Sequence, residues 1–180
     1  ELVEADEKDL EKISQLTTPN QVLAVIKKFE IAADVQTKGT VSIVLDTIQD
    51  PGNLGTIIRI ADWFVIDQII SSTDCADMYN PKVVQSTMGS IARVNLFYTD
   101  LVVWLQEQKD VFIYAAALEG QNVTAMKKIT EGLIVIGNES KGISPSIVEL
   151  VDVRITIPRK GSAESLNAAV ATGIILSHIV

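Results

Sequence analysis

From Val41 to the end of the chain, short and largely apolar runs alternate with stretches of helical periodicity, and this alternation limits the possible folds more than any other feature. The runs at Val41–Leu45, Gln68–Ser71, Arg93–Tyr98, Val111–Leu118, Leu133–Gly137 and Val153–Ile157 predict six strands. Between them lie five predicted helices: Leu54–Phe64, a segment opened by Asn80-Pro81, a segment capped by Thr99 that carries Leu101, Val102, Trp104 and Leu105, a short one opened by Ser144-Pro145, and Ser165–Ile179. A strand that is apolar along its length leaves no face for water, so both of its faces must be covered. That is the condition of a mostly parallel sheet with helices on both faces, an α/β fold.

Residues 1–40 follow a different pattern, two short helical pieces and a polar linker. Thr17-Thr18-Pro19-Asn20 reads as a turn ending in a cap at Asn20, and Val22, Leu23, Val25, Ile26 and Phe29 then predict the apolar face of a second helix. Asp34–Gly39 reads as a connector, which places a domain boundary near residue 40.

Composition removes several chemistries. One cysteine, Cys75, cannot build a disulfide framework or a cysteine-cluster zinc site, and one histidine, His178, leaves a zinc site or a histidine-based triad without its usual residues. No metal is expected. With 15 basic against 23 acidic residues the net charge is −8, which disfavours indiscriminate nucleic-acid binding. Six of the acids (Glu1, Glu4, Asp6, Glu7, Asp9 and Glu11) fall in the opening segment with only Lys8 against them, so a basic surface elsewhere is compatible with the balance. No apolar run approaches the roughly 20 residues of a membrane span, and no signal peptide is evident, so a cytoplasmic protein is expected. The opening at Glu1 rather than a methionine reads as the sign of a native N-terminal part ahead of it.

In an open parallel sheet, ligands collect at the carboxyl ends of the strands. Three loops there are rich in Gly, Asn and Pro: Asp46–Gly55, leading into a helix that carries Arg59; Gly137-Asn138-Glu139-Ser140-Lys141-Gly142; and Ile157–Asn167. Neither the dinucleotide fingerprint nor the phosphate-loop pattern is present. Arg59, inside an otherwise apolar stretch, reads either as a surface residue paired with Asp62 or as a guanidinium aimed at a phosphate or a developing oxyanion. Glu139 reads as a solvated loop carboxylate or as part of a site. Ser165 reads as the N-cap of the last helix and Asn167 as its first turn, or both as site residues. Cys75 and His178 have no identifiable partner for catalysis, and Trp63, Phe64 and Trp104 read as core or interface.

Taken together and in order, the three loops resemble the motifs of the SpoU/TrmH family of RNA ribose 2′-O-methyltransferases, within the SPOUT superfamily. The first is Leu45-Asp46 followed by Asp50-Pro51-Gly52-Asn53-Leu54-Gly55-Thr56-Ile57-Ile58-Arg59, the second Ile134–Ile143, and the third Ile155–Pro158 with Ser165–Ala171. Ser140, Arg159 and Ala168 depart from the residues usual in that pattern. The resemblance covers residues 41–180 and implies a C-terminal trefoil knot, a homodimer whose active site is completed across the interface, and S-adenosylmethionine held by Gly137, Asn138, Ile157 and Leu166. It implies Arg59 as the catalytic arginine, with Asn53, Glu139, Ser165 and Asn167 arranging it and the target ribose. Residues 1–40 would then be the tail of an N-terminal RNA-recognition domain and its linker.

The implied activity is 2′-O-methylation of a ribose in structured RNA, rRNA ahead of tRNA; the alternative is a non-catalytic knotted RNA-binding dimer. Methyl transfer needs alignment more than covalent assistance, and a ribose hydroxyl needs help to lose its proton. Since a guanidinium does not give up its proton in a protein, the preferred role for Arg59 is a clamp on the adjacent phosphate and a stabiliser of the alkoxide. RNA binding would also require Arg59, Lys82, Arg93, Lys141, Arg159 and Lys160 to converge.

Overall fold

The computed structural model describes residues 2–14, 18, 20–28 and 35–180. By internal packing the chain divides into two units, Glu1–Glu30 and Ile31–Val180. In the first, helix α1 (Glu7–Ile13) is capped by Asp6, whose side chain accepts from Asp9 N, with acids in its first turn and Lys12 in its last. The second helix expected after Asn20 is not formed: residues 20–28 are non-helical, and Val22, Leu23, Val25 and Ile26 are exposed. Three β-branched residues in five positions weaken helix propensity, and so short a helix is not stable without an apolar surface to pack on. Thr17, Pro19 and Phe29 lie outside the described residues.

Among its described residues the second unit is built on six strands: β1 (Val41–Leu45), β2 (Gln68–Ser72), β3 (Asn95–Thr99), β4 (Ile113–Asn122), β5 (Gly132–Ile136) and β6 (Val153–Thr156). They form one sheet in the order β3-β2-β1-β5-β4-β6, and every pairing is parallel. The central pair runs in register from Val41 opposite Gly132 to Leu45 opposite Ile136. Side chains alternate between two cores, as the period of a strand requires. Ile43, Leu45, Ile134 and Ile136 pack with Leu54, Ile57, Ile58 and Ala61 of α2 (Pro51–Trp63), Val83 of α3 (Pro81–Ser86) and Ile175, Leu176 and Ile179 of α6 (Ala168–Ile179). On the opposite face Val44, Ile70, Leu133 and Val135 pack with Leu101 and Leu105 of α4 (Leu101–Gln106) and Ile147 of α5 (Pro145–Val148). Each fully buried Leu or Ile contributes roughly 1.5–3 kcal/mol.

Residues 35–40, expected as a free connector, are tied into this unit. Gln36 N donates to Gln68 Oε1 at 2.9 Å and Gln68 Nε2 donates to Gln36 O at 3.0 Å, which satisfies a buried amide at the start of β2.

Several element boundaries differ from those the sequence suggests, each for a local reason. Helix α2 begins at Pro51, because Asp50 caps it and accepts from Asn53 N at 2.8 Å; Asn53 therefore sits in a helical first turn rather than in a loop. Asp100, not Thr99, caps α4, accepting from Val102 N and Val103 N. Strand β4 runs on to Asn122 through an irregularity between Ala116 and Gln121, where both residues face Ile155 of β6. Helix α6 starts at Ala168, with Asn167 as its cap. Gly55 is required for packing: a Cβ there would lie 1.9 Å from Ser86 Oγ and 2.8 Å from Val83 O, so α2 and α3 meet only over a bare backbone.

Candidate active site

The strand order reverses between β1 and β5, and ligands of open parallel sheets lie outside the carboxyl ends of strands at such a point. The loops leaving these two strands are locked to each other. Asp46 N donates to Ile136 O at 2.9 Å, and Asp46 Oδ2 accepts from Ser144 N at 2.6 Å and Ser144 Oγ at 2.7 Å, which satisfies a carboxylate only 3% exposed. Asn138 Nδ2 donates to Thr47 O at 2.9 Å, while Asn138 Oδ1 accepts from Ser140 N at 2.9 Å and Lys141 N at 3.1 Å. The backbones of Asn138 and Gly142 pair in both directions, closing a tight turn with Glu139 on it. Gly137 and Gly142 allow this turn. A Cβ on Gly137 would lie 2.5 Å from the Gly142 carbon and Ile143 N, and Gly142 has φ +70°.

On this frame three of the sequence-predicted residues meet. Asn167 Oδ1 accepts from Ala169 N at 3.0 Å and Val170 N at 3.2 Å, so its amide nitrogen must face outward; it donates to Asn53 Oδ1 at 2.8 Å. Asn53, with its oxygen used in this way, turns its own Nδ2 to Glu139 Oε1. The direction of the whole relay is thus fixed by the first turn of α6, since backbone N–H groups only donate. It joins all three loops, and it orients both amides without reference to any ligand.

Arg59 and Ser165 are not part of this cluster. Both are exposed and have no hydrogen bond or ion pair among the described residues. The expected alternative pairing of Arg59 with Asp62 is not formed. Asp62 instead receives Arg93, with Nη2 to Oδ2 at 2.7 Å, and Ser90 Oγ at 2.6 Å, and these bonds hold its carboxyl below the usual carboxylate range. Lys82 is likewise engaged, 3.6 Å from Asp50 Oδ2. Two of the six cations considered for RNA are therefore already paired. Trp63, read as core or interface, is 83% exposed, whereas Phe64 and Trp104 are half-buried and pack on the two cores.

Ile157 is half-buried against the first core and Leu166 is 46% exposed, so together they present apolar surface at the end of β6. Among the described residues, the stretch from Pro158 to Leu166 has one hydrogen bond of its own, Arg159 Nη1 to Ala163 O at 3.2 Å, so its other backbone donors and acceptors are open to a ligand. The irregular part of β4 adds a wall that sequence reasoning did not assign: Thr156 Oγ1 donates to Leu118 O at 3.0 Å, and Gly120 lies so close to β6 that a Cβ would meet Arg154 O at 2.5 Å. Asp46 and Thr47 lie in the first strand-end loop, Asp46 also in the first motif, and Ser144 opens α5, but none of the three carries a site role in the sequence reading. At the carboxyl ends of β1, β2 and β3, a cavity of about 340 Å³ is lined by Asp46, Asp74 and Asp100 with hydroxyl groups and no Lys or Arg, which ill suits a phosphate backbone.

The chain is similar to several methyltransferases. The RlmP 23S rRNA (guanosine(2553)-2′-O)-methyltransferase of Bacillus subtilis is 33% identical over 172 residues, which cover 93% of this chain and 67% of that protein. The SpoU methyltransferase AviRb from Streptomyces viridochromogenes, solved in complex with AdoMet, has a TM-score of 0.83 at 27% identity, over 98% of this chain and 71% of that one. An AdoMet-bound rRNA methyltransferase from Sinorhizobium meliloti has a TM-score of 0.77 at 30% identity, over 84% of this chain and 60% of that one. The chain spans 67%, 62% and 62% of the length of three curated relatives it matches. The profile of the SpoU rRNA Methylase family matches residues 40–177, and the chain belongs to that family.

Proposed function

We propose that this chain carries the methyl-transfer part of an enzyme that uses S-adenosylmethionine (AdoMet) to methylate the 2′-hydroxyl of a ribose in structured RNA, rRNA ahead of tRNA. The observation that carries the reading is the relay from Asn167 through Asn53 to Glu139, which binds the three strand-end loops into one polar wall at the switch point. The relatives named above are methyltransferases, and two neighbouring structures hold AdoMet; nothing favours the non-catalytic alternative.

The residues present fit the cofactor. Ile157 and Leu166 offer apolar surface for an adenine ring, the unpaired backbone of the third loop offers donors and acceptors for its edge, and Gly137 and Asn138 form the floor. Bound there, AdoMet supplies an activated methyl group. The chain's own part is alignment: the relay fixes Asn53 and Glu139 beside the acceptor ribose, and Arg59 clamps the neighbouring phosphate and stabilises charge developing on the 2′-oxygen. Ser165, on the polar stretch before α6, contributes a hydroxyl to the ribose. Because Arg59 projects from α2 with no partner among the described residues, we assign it to the site of a second copy of the chain in a homodimer. A trefoil knot threaded by the last loops and α6, and an origin of residues 1–40 in an N-terminal RNA-recognition domain, complete this reading. The exposed apolar side chains of Val22, Val25 and Ile26 are in keeping with that origin.

Calorimetric titration with AdoMet, with NADH and ATP as controls, tests the assignment. Gly137→Val is not a clean probe, since its side chain would strike the Gly142–Ile143 backbone. Leu166→Asp is better, because Leu166 is half-exposed and outside α6. AdoMet alone should bind, and Leu166→Asp should weaken it about tenfold or more, a loss of about 1.4 kcal/mol, with little change in melting temperature. No binding at millimolar AdoMet refutes the cofactor assignment.

A further inference from the structure

We propose that Thr47 is a positioning residue, which sets the turn from Asn138 to Gly142 and through it the place of Glu139. Thr47 has φ +58°, the left-handed region, which a β-branched residue occupies only where its surroundings compel it. Those surroundings engage all three of its polar atoms. Its N–H donates to Ser72 Oγ at 2.9 Å, and its hydroxyl proton is shared between Asp46 Oδ1 at 3.0 Å and Asp74 Oδ2 at 3.1 Å. Its carbonyl accepts from Asn138 Nδ2 at 2.9 Å.

The last bond has a consequence for the second loop. Asn138 Oδ1 is committed to the N–H groups of Ser140 and Lys141, so the amide cannot reverse, and its nitrogen needs an acceptor in one direction only. A residue continuing β1 would send its carbonyl along the sheet ladder. The left-handed turn at Thr47 swings that carbonyl out of the ladder to meet Asn138. The strain at Thr47 and the order of the Glu139 turn are therefore two sides of one arrangement, anchored at the ends of β1 and β2 by Asp46, Ser72 and Asp74.

Amide hydrogen exchange on the full chain tests this without any ligand. Thr47→Val keeps the shape and the β-branch but loses the hydroxyl that offsets the strain; Thr47→Asn enters the left-handed region readily. The Val variant should exchange about tenfold faster at Ser140, Lys141 and Gly142, while Ile134 and Val135 within β5 stay within about twofold of the parent. Thr47→Asn should restore the slow exchange to within about threefold. Asn138→Ala, which removes the donor to Thr47 together with the acceptor of the Ser140 and Lys141 N–H groups, should accelerate the same three amides, and combining it with Thr47→Val should add little. Unchanged exchange at residues 140–142 in Thr47→Val, a rise shared equally by β5, or no rescue by Asn would overturn the proposal. Its consequence for AdoMet rests on the function proposed above: Thr47→Val should raise the Kd about tenfold and Thr47→Asn should return it. If the parent binds no AdoMet but the exchange pattern holds, the cofactor reading fails and the positioning role stands.

Discussion

At the residue scale, the amide of Asn167 does two things that substitution can separate. It caps α6 through its oxygen, and it starts the relay through its nitrogen. Asp is as good a cap as Asn but offers no donor to Asn53, whereas Ala offers neither. Asn167→Asp should therefore keep stability within about 0.5 kcal/mol while Asn167→Ala loses about 1 kcal/mol, yet both should cut methyl transfer by a similar factor, roughly a hundredfold, since an unguided Asn53 can turn its oxygen toward Glu139. Urea unfolding and single-turnover transfer measured side by side distinguish the two roles; an active Asn167→Asp would remove the relay from the mechanism. That Asn53, Glu139 and Asn167 stand at strand ends was legible, because amide and carboxylate residues stand out beside glycines at the ends of apolar runs; their roles in a site came from the family resemblance alone. Thr47 and Val65 were not legible, because a left-handed residue is normally marked by Gly or Asn, and neither is present. Val65, at φ +59°, closes α2 where Gly or Asn is usual, with Ile66 N reaching back to Ala61 O at 2.8 Å, and its side chain is 90% exposed. Among the described residues only backbone bonds hold it there, its own N–H donating to Asp62 O at 3.2 Å beside the bond from Ile66 N. Val65→Asn should stabilise the chain by about 1 kcal/mol, seen as a rise in the urea midpoint at constant slope.

At the element scale, the decisive helix is α2, and its start was misplaced by three residues because Pro51-Gly52 reads as a turn. Proline fits the first helical position, where no donor is needed, and the Asp50 cap makes the rest of the turn helical. The N–H of Asn53 holds the Asp50 carboxyl below the usual carboxylate range, with Lys82 adding to the effect against partial desolvation. A depressed folded-state value means the contribution is complete above the unfolded value of about 4 and disappears as pH falls through the folded value. Asp50→Ala should thus cost about 1 kcal/mol at pH 7, and the two proteins should converge in stability as pH drops below about 4. A difference that persists undiminished at pH 2.5 would show that Asp50 does not act through its charge. The segment after Asn20 failed for the opposite reason: its apolar spacing was helical, but spacing does not create a helix where Val22, Leu23, Val25 and Ile26 stay exposed.

At the scale of the whole molecule, the class of sheet was legible and its order was not. Unbroken apolar strands report that both faces are covered; which strand lies beside which is decided by packing between residues nearly a hundred positions apart, such as Leu45 and Ile136. That pairing, invisible to local periodicity, is what brings Asn53 and Glu139 together. It leaves Arg59 outside, on the exposed side of a helix whose buried side is already committed to Leu54, Ile57, Ile58 and Ala61. A guanidinium so placed serves the site of a second chain if the protein is a homodimer, and that is open to a direct test. Arg59→Ala and Glu139→Gln should each abolish transfer alone. If each site takes Arg59 from one chain and Glu139 from the other, then in a mixed dimer one site carries both defects and the second carries neither. Random re-pairing makes half of the dimers mixed, so activity should recover to about a quarter of the parent value. If Arg59 instead serves its own chain, every site in every dimer carries one defect and mixing restores nothing. The yield of the mixture therefore decides between the two arrangements, independently of how tightly either variant binds AdoMet.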